Sequence, residues 1–170
     1  MPDPLLTIET SRLRLRPFEG DEAARLHEIL GDAETMRFYP APFTRDQTEA
    51  WVARQIERYD TDGFGLLVLE SKQTGELLGD CGPVVQQIRG EREVELGWHV
   101  KRSHWGKGLA PEAGAACMSL ATEGFGLSRL VSLIRPVNVP SARVAEKIGM
   151  AVERQVDYKG LLHDLYVIEV

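Results

Sequence analysis

The segment Trp105-Gly106-Lys107-Gly108-Leu109-Ala110 stands between an extended run and the clearest amphipathic helix of the chain. Two glycines let the backbone curl, and a helix start presents unpaired N–H groups at the positive end of its dipole. Lys101, Arg102 and Lys107 add positive charge, with no acid between positions 101 and 110. That is the chemistry of an anion site, although a plain strand-to-helix turn also favours glycine, and the spacing alone leaves both readings open. A Walker A loop is excluded, because Gly106-Lys107 has neither the upstream glycine nor the following hydroxyl. A dinucleotide fingerprint is excluded too. Pro111 stands where its third small residue belongs, and no acidic residue ends a second parallel strand.

The elements that must position this loop follow from periodicity. Leu13 and Leu15 alternate with Arg12, Arg14 and Arg16, which predicts a strand with its arginines in solvent, ended by Pro17. Asp21 is placed to cap a helix running to about Leu30, and Thr44 with Gln47 has capping-box spacing for a second helix that stops near Gly63. Phe64–Glu70 and Glu76–Gly82 read as a hairpin, with Pro83 breaking or bulging the ladder before the extended run Val84–Ile88. Glu93–Val100 is the next strand. Leu109, Ala113, Ala116, Cys117 and Leu120 form the stripe of the following helix, with Pro111 in its first turn. Leu130–Arg135 reads as a strand, Pro140–Lys147 as a short helix, and two last strands flank Lys159-Gly160. The predicted order is β-α-α-β-β-β-α-β-α-β-β, an α+β domain spanning residues 1–170 with a mixed sheet and helices on its faces.

Composition excludes several classes. The chain has 170 residues, 20 Lys plus Arg against 26 Asp plus Glu, and a net charge of −6. This argues against general nucleic-acid binding, which needs a broad basic footprint. An acidic body around a locally basic loop fits a polyanionic small molecule better. Cys81 and Cys117 lie in no metal or redox motif and read as buried thiols, so no metal site is expected. The longest apolar stretches, such as Leu66 to Leu69, fall far short of the ~20 residues of a membrane span. Met1 to Arg16 mixes acids and arginines with isolated leucines rather than forming a signal-peptide core, so a cytoplasmic domain is expected.

Four ordered motifs resemble the GNAT family of N-acetyltransferases, and within it the subgroup that acetylates ribosomal-protein N-termini. Ser11 to Pro17 resembles that subgroup's first strand and Glu95 to Val100 its fourth. Trp105 to Ala110, continued by Pro111-Glu112-Ala113, resembles its acetyl-CoA loop and helix, and Asn138, Ser141 and Glu146 to Met150 its last CoA-contacting segment. The resemblance implies the acyl-CoA N-acyltransferase fold, with a mostly antiparallel twisted sheet of about seven strands. The family's Gln/Arg-x-x-Gly-x-Gly/Ala pattern falls on Trp105, Gly108 and Ala110, with an aromatic at the first position as is common in the subgroup. By that likeness the backbone of Trp105, Gly106, Lys107, Gly108, Leu109 and Ala110 cradles the CoA pyrophosphate. Trp98, His99 and Val100 then pair with the pantetheine arm where parallel strands splay. Asn138 bonds its amide region, Ser141 lies near the sulfur, and Arg143 and Lys147 are within reach of the 3′-phosphate.

Acetyl transfer to an amine needs a proton acceptor, a polarised carbonyl and a stabilised thiolate. Glu93, Glu95, Gly97 and His99 share one strand face if no bulge intervenes. Similar enzymes use a glutamate at Glu95, which makes it the first candidate base, with His99 second. A salt-bridged strand carboxylate and a structural histidine are the plainer readings of the same residues. The tyrosine that much of the family uses as acid is replaced by Ala145, leaving Ser141 as candidate. Tyr39, Phe43, Trp51, Tyr158 and His163 are candidate acceptor-lining residues, although such aromatics commonly belong to cores. The implied activity is acetyl-CoA-dependent N-acetylation of a primary amine in a ternary complex. The acceptor would be a ribosomal-protein N-terminus, a polyamine or an aminoglycoside, and the enzyme a monomer or homodimer. The alternative is a non-catalytic acyl-CoA-binding or regulatory module.

Overall fold

In the computed structural model, which describes residues 6–170, the leucines of the first alternating run bury inward as their period requires. Leu13 and Leu15 are fully buried in strand β2 (Leu13–Arg16), paired with a short preceding strand, β1 (Ile8–Glu9). The opening residues 1–5 of the segment read for a leader lie outside the described residues. The remaining elements are α1 (Ala23–Leu30), α2 (Arg45–Thr61), β3 (Leu67–Ser71), β4 (Leu77–Ile88), β5 (Glu91–Val100), α3 (Leu109–Ser119), β6 (Arg129–Ile134), α4 (Val139–Lys147), β7 (Ala151–Tyr158) and β8 (Leu161–Glu169). They build one sheet of eight strands in the order β1-β2-β3-β4-β5-β6-β8-β7, in which β5 and β6 are parallel and the other neighbours antiparallel. The strand additional to the sequence reading is β1, only two residues long and too short for periodicity to register.

Strand β3 shows why helices lie on both faces. Leu67 and Leu69 enter a core with Leu13, Leu96, Ala113 and Cys117, under α3. Their neighbours Leu66 and Val68 enter a second core with Leu26, Leu30 and Val52, under α1 and α2. Alternate side chains point to opposite faces, and here both faces are dry. Cys81 and Cys117 are buried, as their type suggests.

Three local expectations are corrected. Pro83 neither breaks nor bulges β4, which runs through it with Pro83 opposite Leu96. Beside it β3 has already ended, its last partner being Leu67 opposite Cys81, so the missing N–H falls where β4 has a single neighbour. Helix α1 is flanked by Glu22, not Asp21, and Glu22 makes no capping bond from its side chain. Its carboxylate is instead buried against Arg16 and Arg25 and accepts the Glu19 N–H at 2.8 Å. The β2 arginines are therefore not simply solvated, since Arg16 also bonds Glu70 and Arg12 reaches the glycine loop. The capping box forms as read: Thr44 accepts the Gln47 N–H, and Gln47 accepts the Thr44 N–H.

Candidate active site

The loop between β5 and α3 is held from two sides. Gly106 and Gly108 adopt φ of +74° and +77°, a left-handed conformation that glycine enters without steric cost. Gly108 is the residue at the head of α3, and no side chain caps that helix start. Arg12 donates from Nη1 to the Lys107 carbonyl at 2.7 Å and from Nε to Glu112 at 2.9 Å, tying loop and helix to β2. Trp105 donates from its indole N–H to the Val100 carbonyl at 2.7 Å. Beside the loop opens a cavity of about 460 Å³. Trp105, Gly106, Gly108, Leu109 and Ala110 line it on the loop side, and Asn138, Ser141, Arg143 and Lys147 from α4.

The strand wall of this cavity is the gap between β5 and β6. These parallel strands are bridged at Glu95 opposite Val131, while β5 continues to Val100. The Leu96 carbonyl accepts the Ser132 hydroxyl at 2.7 Å, and the Val100 carbonyl accepts Trp105. By strand alternation the N–H and C=O of Trp98 face the same way, with no strand beside them. A positive-φ loop, an uncapped helix start, an unpaired strand edge and two cations without a carboxylate partner among the described residues (Arg143 and Lys147) suit a long phosphorylated thioester such as acetyl-CoA.

A second cavity of about 160 Å³ adjoins the first, and Tyr39, Trp98, His99, Asn138 and Ser141 line both. Glu95 lines the smaller one. Strands β4 and β5 pair without a register shift from Gly79 opposite Val100 to Ile88 opposite Glu91, so Glu95 and His99 share a face as the alternation requires. Glu95 accepts the Leu133 N–H and the Gln86 side-chain amide, each at 3.2 Å. Burial pushes its carboxyl above the ordinary carboxylate range, and these two bonds only partly oppose the shift. His99 bridges Asp80 and Tyr39: Nδ1 lies 2.7 Å from Asp80 Oδ1 and Nε2 lies 2.7 Å from the Tyr39 hydroxyl. Asp80 is fully buried and also accepts the Trp51 indole N–H at 3.0 Å. Burial alone would depress the His99 pKa, but Asp80 outweighs it and the net shift is upward. Gly79 makes this packing possible, because a Cβ there would sit 1.9 Å from the His99 carbonyl oxygen.

The structure thus brings Glu95, His99, Ser141, Asn138, Tyr39 and Trp51 to one junction. Among the described residues the Ser141 hydroxyl has no partner, while its N–H donates at 3.2 Å to Oδ1 of Asn138, the residue that caps α4. Four readings are corrected. Lys107 does not line the cavity; its carbonyl holds Arg12 and its side chain is exposed. Lys101 is paired with Glu28 and Glu76, and Arg102 with Asp32, so acids arriving from α1 and the β3–β4 turn neutralise much of the basic loop. Tyr158 lies one step behind the cavity and donates to Gln86, which in turn holds Glu95. Phe43 and His163 pack edge-on against Trp51 and Tyr158 rather than lining the cavity. Ala145 is fully buried with Ile134, Met150 and Tyr166, so α4 offers no acid there. Sequence reasoning missed Asp80, Gln86 and Arg37. A charge inside the run Leu77-Leu78-Gly79-Asp80-Cys81 was the available signal for the first, since an unpaired Asp rarely occupies such a run.

Known proteins share this architecture. The model of the acetyltransferase (GNAT) domain matches residues 12–151. The Bacillus subtilis protein YkkB is 38% identical over 150 residues, covering 88% of this chain and 87% of YkkB. The crystal structure of the acetyltransferase from Agrobacterium tumefaciens has a TM-score of 0.82 at 27% identity, over 96% of this chain and 94% of that one. RimL, a ribosomal L7/L12 α-N-protein acetyltransferase solved in complex with coenzyme A, has a TM-score of 0.75 at 18% identity, over 96% and 98% respectively. That last likeness is one of fold.

Proposed function

This chain belongs to the GNAT family of N-acetyltransferases, and from that premise we propose that it transfers an acetyl group from acetyl-CoA to a primary amine by direct attack in a ternary complex. The observation that carries this reading is the junction of the two cavities, where Glu95 and the unpartnered Ser141 hydroxyl stand on opposite elements. Acetyl-CoA, when bound, supplies the activated acetyl thioester. The α3 start with Gly106 and Gly108 holds its pyrophosphate, Arg143 and Lys147 its remaining phosphate, and the Trp98 backbone its amide-bearing arm. Glu95 accepts the amine proton, directly or through a water, and its raised pKa suits it to that task near neutral pH. Ser141 Oγ donates a hydrogen bond or a proton to the departing sulfur. The Asp80–His99 couple is a second proton station on the same cavity, with Asp80 acting as a positioning residue.

A protein N-terminus of the ribosomal class, as in the name of RimL, is one acceptor within this reading, and a small amine is another. No helix among the described residues is long and apolar enough to cross a membrane. The test follows thiol release from acetyl-CoA across peptide N-termini and small amines, with acetylated products identified by mass. Turnover on at least one amine is expected. Saturable acetyl-CoA binding without turnover on any would favour the non-catalytic module.

A further inference from the structure

The smaller cavity carries more positive charge than an amine-binding site needs. Arg54 and Arg58 of α2 and Lys159 of the β7–β8 turn all line it, together with Glu95. The chain holds six more acids than bases, and cations such as Arg12, Arg16, Arg102 and Arg129 pair with carboxylates. Among the described residues, Arg54, Arg58 and Lys159 pair with none. Each is held by a neutral group instead. The Arg54 guanidinium lies 6.0 Å from the Trp51 ring centroid, Arg58 Nη1 lies 3.5 Å from Gln55 Oε1, and Lys159 Nζ lies 5.2 Å from the Tyr158 ring centroid. Such contacts orient a cation without neutralising it. Burial and the neighbouring Arg54 both disfavour charge on Arg58, a cost that a bound anion would relieve.

An acceptor that is cationic throughout meets three like charges here. An amine with an anionic group meets complementary charge at both of its functional groups. We infer that the acceptor is a small primary amine bearing a carboxylate, its anionic group held by Arg54, Arg58 and Lys159 while its amine faces Glu95. This rests on the acetyltransferase reading and narrows it: polyamines and aminoglycosides, cationic throughout, are disfavoured by the three cations that line this cavity. Arginine on a rigid helix suits a carboxylate because its planar fork can bond both oxygens.

The test uses the full chain saturated with coenzyme A and series of α-, β- and γ-amino carboxylates, each beside its carboxamide, with spermidine as the cationic reference. Binding is read by calorimetry, and acetyl transfer by kcat/KM corrected for the neutral amine fraction. At least one carboxylate is expected to bind roughly tenfold or more tightly than its carboxamide, the scale of one charge-assisted bond. Arg58→Gln is expected to remove that preference while leaving acetyl-CoA affinity unchanged. Lys159→Gln, in an exposed turn where folding is not at risk, is expected to reduce it. Equal binding of every carboxylate and its carboxamide, tighter binding of spermidine, or an undiminished preference in both variants would overturn the inference. Preferential carboxylate binding without transfer would overturn the acetyltransferase reading and leave the anion site standing.

Discussion

Replacing Asp80 by Asn isolates the electrostatics behind His99. Asp80 is fully buried and accepts two N–H groups, His99 Nδ1 on one oxygen and Trp51 Nε1 on the other. Asparagine offers one oxygen and one NH₂, so one of the two donors must face another donor. A buried donor left unsatisfied costs about 1–3 kcal/mol. Removing the charge also leaves His99 with burial, which opposes protonation, and only the more distant Glu95 favouring it. The His99 pKa is raised in the native protein, so the couple adds stability that is fully present below the unfolded value near 6.5 and lost as pH rises through the folded value. The Asn variant lacks this term. Its destabilisation should therefore exceed the cost of the unsatisfied donor in mild acid and approach that cost in mild base. At about 2–4 °C per kcal/mol for a chain of this size, the unsatisfied donor alone should lower the melting temperature by roughly 2–12 °C, with a further fall at low pH. Thermal unfolding of both proteins at about pH 5.5 and about pH 8.5, on either side of the ordinary histidine value, measures the difference. A cost independent of pH, or one below about 1 °C, would refute the assignment of Asp80 as the charge that holds His99.

Glu95→Gln should lower kcat while leaving acetyl-CoA affinity unchanged, and should remove the acidic limb of the pH–rate profile, a limb displaced above the ordinary carboxylate range. It should also raise stability at neutral pH: between the unfolded and raised folded pKa values the native state binds more protons, so ionising Glu95 destabilises the fold. Thermal unfolding reads this directly. Gly108→Trp places a bulky side chain at φ +77° beside the large cavity and should reduce acetyl-CoA affinity more than about 100-fold by calorimetry, ~2.7 kcal/mol. Thr44→Ala breaks the capping box of α2 and should cost about 1 kcal/mol in denaturant unfolding without shifting the pH–rate profile.

The extent to which the site was legible follows the range of each interaction. Alternation along β5 put Glu95 and His99 on one face because a strand's period is local and the β4–β5 ladder carries no bulge. The Thr44–Gln47 box and the Gly106–Gly108 loop were equally local. What escaped came from other elements. Asp80 reaches His99 across a ladder from 19 residues away, and Gln86 reaches Glu95 from 9 residues away. The positive character read from Lys101 and Arg102 was real in sequence but is balanced by Glu28, Glu76 and Asp32 in space. Tyr158, a candidate lining residue by type, stands one residue behind the cavity because Gln86 lies between it and Glu95. Net charge is likewise an average over 26 acids, and it does not show that Arg54, Arg58 and Lys159 gather at the smaller cavity.

The most direct test of the central claim is the rate of thiol release from acetyl-CoA in the presence of a saturating amine, measured for the native protein and Glu95→Gln with the acetylated amine identified by mass. The account predicts amine-dependent release matched by product for the native chain, and a much slower rate for the variant at equal acetyl-CoA affinity. Tight acetyl-CoA binding with no acetylated amine from the native chain, or an undiminished rate in Glu95→Gln, would contradict it.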